Sequence, residues 1–286
     1  MNALRRNPQT AVRFGLFLSL VLVILAAALS ATGDDFNPGC AVPYGGLQQP
    51  RPIDAQCGPA GSADTPASAE QNKAKNNLCA SGSAVPLTIS AFDELQQAAE
   101  EKGVTFGNQH VPHPEPLPPD RSVLKDLIQS GGAPVGEGTK VVYVGFVLKT
   151  KIAGKEGVNC HLPGKAANDI HIVMGKRPDD TECSSVTAEM IPHFRPASWD
   201  KITFAAVLAK LKKHPVRITG QMFFDASHAY CGHPEFQPGG DPHRRSLWEI
   251  HPVYALDVCR NKTLAGCKVD KAAVWTAFDS WVQNPQ

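Results

Sequence analysis

Residues 168–171 read Asn168-Asp169-Ile170-His171, a stretch in which polar and apolar side chains alternate. Three further stretches repeat this polar theme, and they read Thr187-Ala188-Glu189, Asp225-Ala226-Ser227-His228 and Trp248-Glu249-Ile250-His251-Pro252-Val253. Side chains alternate across a β-strand, so residues two apart share one face. If these stretches join one sheet, their carboxylates and imidazoles gather on a single face of it.

Five strand-like segments follow residue 139, at 140–150, 169–174, 185–191, 216–225 and 247–258. They are rich in the β-branched and aromatic residues that favour strands. Apolar residues at helical spacing predict a helix at about 199–213, between the third and fourth strands, and Pro215 follows its end. Three strands, a helix and two strands is the element order of an OB-type barrel. We therefore expect a mainly β fold, a small five-stranded OB-like barrel with flanking helices, and other helix-capped β-barrels are the alternative.

The remaining segments predict the domain organisation of the 286-residue chain. Residues 32–86 are rich in proline, glycine and alanine and poor in large apolar residues, which is typical of a disordered tether. The OB-like module is expected at 87–260, with an N-terminal helix at 91–102 and a proline-rich strap at 110–120. An amphipathic C-terminal helix is expected within 261–286.

The first 31 residues have the organisation of an export signal. Three arginines and an apolar run at 14–29 precede small residues that suit a signal peptidase. The apolar stretch at 14–31 is also about the ~18 residues that can cross a bilayer, so an uncleaved signal anchor is the alternative. Both interpretations predict an exported protein, periplasmic or secreted, that contacts the membrane only through this segment and only if it stays uncleaved.

Eight cysteines agree with export. They are Cys40, Cys57, Cys79, Cys160, Cys183, Cys231, Cys259 and Cys267. An even number in an exported chain predicts disulfide bonds. The spacing does not decide which cysteines pair, and a local link between Cys40 and Cys57 within the tether is one option.

The charge of the chain excludes one class of partner. Its 28 basic and 27 acidic side chains give a formal net charge of +1, without a basic block. The polar face carries carboxylates where a nucleic-acid surface needs interleaved basic and aromatic residues, so no nucleic-acid partner is expected. The basic clusters at 193–196 and 243–245 are interpreted as solvated loops. The chain also lacks the GxSxG, HExxH, Walker and Rossmann signatures.

The carboxylates and imidazoles of the four stretches form the candidate site. They are Asp169, His171, Glu189, Asp225, His228, Glu249 and His251. A barrel interior is apolar and close-packed, so we expect these side chains outside the barrel or at its rim. Three interpretations remain open: cross-strand pairs that fasten the sheet, a ligand groove, or a divalent-metal site. Carboxylate oxygens and imidazole nitrogens are common ligands of zinc, manganese and iron.

Four motifs resemble those of a family of exported bacterial proteins without an assigned activity. The motifs are NDIH at 168–171, VTAE at 186–189, FFDASH at 223–228 and WEIHPVY at 248–254. The resemblance covers residues 75–259 and implies that Cys79 belongs to the same module as the barrel. It implies no function.

The sequence as a whole favours a non-catalytic role. We expect an exported, disulfide-stabilised cell-envelope module that binds an envelope component or a small molecule, or that is purely structural. A metal-assisted hydrolase is the alternative, in which a cation bound on the polar face generates hydroxide. No cofactor is assigned beyond that divalent metal.

Overall fold

A computed structural model of the protein describes residues 34–44, 51–107, 120–233 and 243–285. The export signal expected at 1–31, and the proline-rich strap up to residue 119, lie outside the described residues. Within the described ranges, no helix is long and apolar enough to cross a bilayer.

The described residues form nine short or medium strands and four α-helices. The strands are β1 (Val85–Leu87), β2 (Ile128–Ser130), β3 (Ala133–Val135), β4 (Lys140–Ile152), β5 (Ile170–Gly175), β6 (Val186–Met190), β7 (Pro215–Phe224), β8 (Trp248–Cys259) and β9 (Trp275–Ala277). The helices are α1 (Pro66–Lys75), α2 (Ile89–Glu101), α3 (Ala205–Leu211) and α4 (Phe278–Trp281).

Five of these strands close into a barrel. Neighbours follow the order β4-β5-β6-β8-β7, and β7 pairs back onto β4. The β6–β8 pair is parallel, and the other pairs of the barrel are antiparallel. Closure depends on the length of β4, which pairs with β7 through 140–146 and with β5 through 146–152. This arrangement, with α3 between the third and fourth barrel strands, confirms the predicted OB-like fold.

Cross-strand register places the alternating residues as the sequence predicts. His171 lies opposite Glu189, and Thr187 lies opposite Glu249, so their side chains share one face. The other face joins the main hydrophobic core, to which Ile172 and Ile250 contribute fully buried side chains. Burying each such side chain contributes about 1.5–3 kcal/mol. Burial of the apolar face therefore stabilises the barrel, and it does not account for the carboxylates and imidazoles on the polar face.

The helix between β6 and β7 is shorter than the sequence predicts. A 3-10 helix at Ala197–Thr203 precedes α3, and Phe204 between them has extended backbone with φ −78° and ψ 126°. Trp199 and Ile202 of the first segment are buried in the main core. The break lets both segments pack on the barrel.

The N-terminal segment is not a disordered tether where it is described, at 34–44 and 51–86. It contains α1, which begins after the capping residue Thr65, and it buries Phe36 and Ile53. Composition alone misled the prediction, because a segment with few apolar residues gains burial by packing on a barrel that already exists.

All eight cysteines form disulfide bonds, as predicted. The pairs are Cys40–Cys79, Cys57–Cys160, Cys183–Cys231 and Cys259–Cys267. A local Cys40–Cys57 link is wrong, because Cys57 bonds across 103 residues to the connection between β4 and β5. Four disulfides indicate an oxidising, exported environment. Two of these bonds involve the N-terminal segment: Cys40–Cys79 lies within it, and Cys57–Cys160 joins it to the β4–β5 connection. Leu78 of the segment also lies in the main core.

The C-terminal residues differ from the expected amphipathic helix within 261–286. Only Phe278–Trp281 is α-helical, and Trp275–Ala277 forms β9 on the edge of β8 instead. Trp275 pairs with Cys259, and its ring lies under the Arg217 guanidinium at 4.8 Å. Residues 275–277 thus pair with the backbone of β8 instead of forming a helix, and the helical spacing of apolar residues does not reveal this partner.

Candidate metal centre

The polar face of the barrel is buried under the N-terminal segment. We use the name polar face for the side chains of six residues that are each at most 5% exposed as whole residues, namely Asp169, His171, Glu189, Asp225, Glu249 and His251. The cover is made by α1 and the β4–β5 connection at 153–169. Gln221 on the same face donates to the Ala74 carbonyl at 2.8 Å, and Lys75 lies 3.6 Å from Glu156. The face lies opposite the apolar core, yet it is not the open groove or rim that the sequence suggested.

At one end of the polar face, Arg244 neutralises two carboxylates. Its Nη1 lies 3.1 Å from Asp225 Oδ2 and also contacts Glu249 Oε1. Burial raises the pKa of Glu249, but the charge of Arg244 together with the His251 contact outweighs it, and the pKa lies below its usual range. Burial likewise opposes a low pKa at Asp225, where His228 and the basic groups nearby hold the pKa well below its usual value.

Sequence reasoning missed Arg244, which it assigned to a solvated loop at 243–245. Its side chain is 1% exposed. The second basic cluster is buried as well, since His193 bonds Asp54 at 2.9 Å and Arg195 is 1% exposed. The sequence of a basic cluster does not show whether its side chains are exposed to solvent or buried in ion pairs. No local signal separated these cases.

At the other end, Asp169, Glu189 and His251 converge. One ligand atom from each of the three lies within 4.8 Å of the other two. His251 Nδ1 is 3.2 Å from Glu189 Oε2, and His251 Nε2 is 3.8 Å from Asp169 Oδ2. We call these three residues the triad.

Each residue of the triad keeps one buried ligand atom without a hydrogen-bond partner. These atoms are Asp169 Oδ2, Glu189 Oε2 and His251 Nε2. Buried polar atoms are nearly always paired in folded proteins. Three converging residues that each keep an unpaired ligand atom therefore mark a candidate place for a cation.

Burial changes the protonation of this end. It raises the pKa of Glu189 well above its usual value, and the neighbouring charge of Glu249 raises it further. Burial also raises the pKa of Asp169. Among the described residues, these two carboxylates make ion-pair contacts with histidine only. Metal binding and proton binding compete at a carboxylate, so a cation at this end would favour the ionised form of both groups.

His171 lies between the triad and the cover. Its Nε2 is 3.3 Å from Glu189 Oε1 and 3.8 Å from Glu156 Oε1. Burial lowers the pKa of His171 to about 4, so its ring is neutral near pH 7. Lys75 from α1 contacts the same Glu156. Burial opposes the charge of Lys75, but the surrounding carboxylates outweigh burial and hold its pKa well above its usual value.

His228 is set apart from the triad. Its Nδ1 lies 2.5 Å from Asp225 Oδ2, and its side chain is 38% exposed. It lines a cleft of about 430 Å³ together with Ser227, Lys75 and Glu156. No residue of the triad lines this cleft. Of the seven predicted site residues, the structure thus brings six into the polar face and leaves His228 at the edge of the cleft.

The donor set suits a divalent cation. Two carboxylates and one imidazole are ligands that zinc, manganese and iron accept. Two atoms bound at about 2.0–2.2 Å to one zinc ion lie roughly 3–4.4 Å apart. The 3.8 Å between His251 Nε2 and Asp169 Oδ2 falls in that range, whereas Glu189 Oε2 faces the other ring nitrogen of His251, Nδ1, at 3.2 Å.

Comparison of the chain with protein-family models, with curated proteins and with solved structures finds no match. The motif resemblance to exported bacterial proteins therefore stays a prediction. What the fold and the site define is a class: a disulfide-bonded, mainly β OB-like barrel with a candidate His/carboxylate metal site.

Proposed function

We propose that this protein is an exported module of the cell envelope that binds one divalent cation in the triad. The observation that carries the proposal is that Asp169, Glu189 and His251 converge, and that each of them keeps a buried ligand atom without a hydrogen-bond partner. The ion would compensate the charge of the two buried carboxylates, and it would link β6 and β8 to the residue that precedes β5.

Export is supported by two independent features of the chain. The four disulfides are typical of the periplasm or of secreted proteins. The apolar run at 14–29 behind three arginines is typical of an export signal. The motif resemblance to exported bacterial proteins agrees with this localisation.

A structural role for the ion fits the geometry better than a catalytic role. Catalytic zinc sites keep one open position for water or substrate, whereas structural sites are closed. Asp169, Glu189 and His251 are at most 1% exposed, and none of them lines the cleft. This arrangement supports a non-catalytic module, with the cleft as the place for an envelope or small-molecule ligand.

A metal-assisted hydrolase is the second candidate, and one observation favours it. Asp225 orients His228 through Nδ1, and His228 lines the cleft. A histidine oriented by a carboxylate is a common general base. In that reading the cleft holds the substrate and His228 accepts a proton there.

The proposed function is tested by metal content. Protein purified from the periplasm is analysed by plasma mass spectrometry, alongside Asp169→Asn and His251→Gln variants. We expect about one divalent ion per chain in the parent and loss of that ion in both variants. A chelator should lower the melting temperature of the parent and leave the variants unchanged.

A matched control comes from the Asp54–His193 pair, which is equally buried and lies elsewhere. The Asp54→Asn and His193→Gln variants should keep the ion, because they alter a buried carboxylate–histidine pair outside the polar face. The proposal would be contradicted if the purified parent contained no metal and if neither a chelator nor added Mn²⁺ or Zn²⁺ changed its melting temperature.

A further inference from the structure

We infer that a second divalent cation binds beside the first, between Glu189, His171 and Glu156, so that Glu189 bridges two ions. This inference rests on the proposed function, because it uses Glu189 of the triad. Its own support comes from His171, Glu156 and the cleft.

His171 is the observation that points to a second ligand. Its side chain is 6% exposed, and both ring nitrogens lack a hydrogen-bond partner. A buried imidazole normally has at least one partner. Nε2 faces Glu189 Oε1 at 3.3 Å and Glu156 Oε1 at 3.8 Å without hydrogen-bond geometry to either. Separations of this size suit atoms that share one cation.

Glu189 is placed to serve both positions. Its Oε2 lies 3.2 Å from His251 Nδ1, on the side of the triad. Its Oε1 lies on the side of His171. In two-metal sites the ions are about 3.5–4 Å apart, a distance that one carboxylate spans with its two oxygens. The two oxygens of Glu189 therefore define two adjacent cation positions.

The surrounding charge accommodates two ions. Five carboxylates meet in this region, namely Asp169, Glu189, Asp225, Glu249 and Glu156. Lys75 and Arg244 neutralise two of these charges. Two divalent cations leave a small positive excess, which a bound hydroxide or another anion would cancel.

The second position differs from the first in access. Glu156 lines the cleft of about 430 Å³, and Lys75 lines it as well. A ligand in the cleft reaches the second ion, whereas the triad stays enclosed. A cation and an ammonium group at one wall favour an oxyanion, such as a phosphate ester or a carboxylate, as the ligand that completes the coordination. The second ion would thus supply the open position that the triad lacks.

The test is a Mn²⁺ titration of the metal-depleted full-length protein, followed by calorimetry and electron paramagnetic resonance. We expect two ions per parent chain and an exchange-coupled spectrum from the manganese pair. His171→Gln and Glu156→Gln should each bind one ion and give a mononuclear signal. Because Glu156 is a quarter exposed, Glu156→Gln carries the test if His171→Gln fails to fold.

The matched control is His161→Gln, which alters another histidine that lines the cleft on the same connection. It should keep two ions and the coupled signal. Inorganic phosphate should change that signal in the parent and in the control. One ion in the parent, unaffected by His171→Gln and Glu156→Gln, overturns the second site and leaves the proposed function intact. No ion overturns both, and two uncoupled ions overturn the bridge.

Discussion

The two ends of the polar face treat buried carboxylates in opposite ways. At the Arg244 end, Asp225 and Glu249 face a fixed guanidinium, and both have a lowered pKa. At the triad end, Asp169 and Glu189 face imidazoles, and both have a raised pKa because burial dominates. All four carboxylates are equally enclosed. The comparison teaches that the chain supplies a cation at one end, whereas the other end is a candidate site for a cation from solution.

The largest expected effect is at Arg244. Arg244→Met leaves Asp225 and Glu249 buried beside no guanidinium, and we expect a loss of about 3–5 kcal/mol in unfolding free energy. Urea unfolding at pH 7 measures it. The matched control is the neighbour Arg245→Met, whose pair with Asp93 is partly exposed and should contribute about 0.2–1 kcal/mol. Equal losses of unfolding free energy in the two variants would show that the buried Arg244 stabilises the fold no more than the partly exposed Arg245 does.

The second prediction concerns His171 in the metal-free protein. Its folded pKa of about 4 lies below the ordinary 6.5, so the unfolded chain binds the proton first. This contribution to stability is complete above pH 6.5 and is lost as the pH falls towards 4, a change of about 3 kcal/mol. His171→Gln should remove that part of the pH dependence. Parallel stability curves for parent and variant between pH 4 and 6.5 would contradict it.

The third prediction concerns Glu189, again without metal. Because its folded pKa is raised above the ordinary 4.5, its contribution falls as the pH rises past 4.5 towards the folded value. At pH 8 the Glu189→Gln variant should therefore be more stable than the parent, by roughly 1–3 kcal/mol, the cost of a buried polar group left unpaired. Saturating Mn²⁺ should reverse the order, because only the parent keeps the carboxylate ligand. A variant that is less stable than the metal-free parent at pH 8 would place a fixed cation at the triad end.

The smallest effect is expected at His228. His228→Ala removes a partner of Asp225 that is 38% exposed, and solvent screens such pairs, so the loss should be about 0.2–1 kcal/mol. Chemical unfolding at pH 5.5 and 8 measures it. A loss as large as that of Arg244→Met would show that the imidazole of His228, rather than the guanidinium of Arg244, stabilises the buried Asp225 carboxylate.

The fold and most of the candidate site could be predicted from local patterns. The two-residue period of Asp169 with His171, and of Glu249 with His251, depends only on strand geometry. Cross-strand register places His171 opposite Glu189 and Thr187 opposite Glu249. The order of strands and helix was likewise sufficient for the OB-like barrel. The failures occurred where a segment gains its structure from distant partners, as residues 34–44, 51–86 and 275–277 do.

The sequence by itself determined the strands, the sharing of one face by carboxylates and imidazoles, and the even number of cysteines. These features depend on neighbours in the chain. Only the tertiary structure decided that Cys57 bonds Cys160, that Lys75 and Arg244 reach the polar face, and that the ion-pair contacts of Asp169 and Glu189 among the described residues are with histidines. Such pairings depend on distances between remote segments, and burial then sets the charge of each group. Those distances between remote segments are what distinguish cross-strand pairs that only stabilise the sheet from a site that could bind a metal.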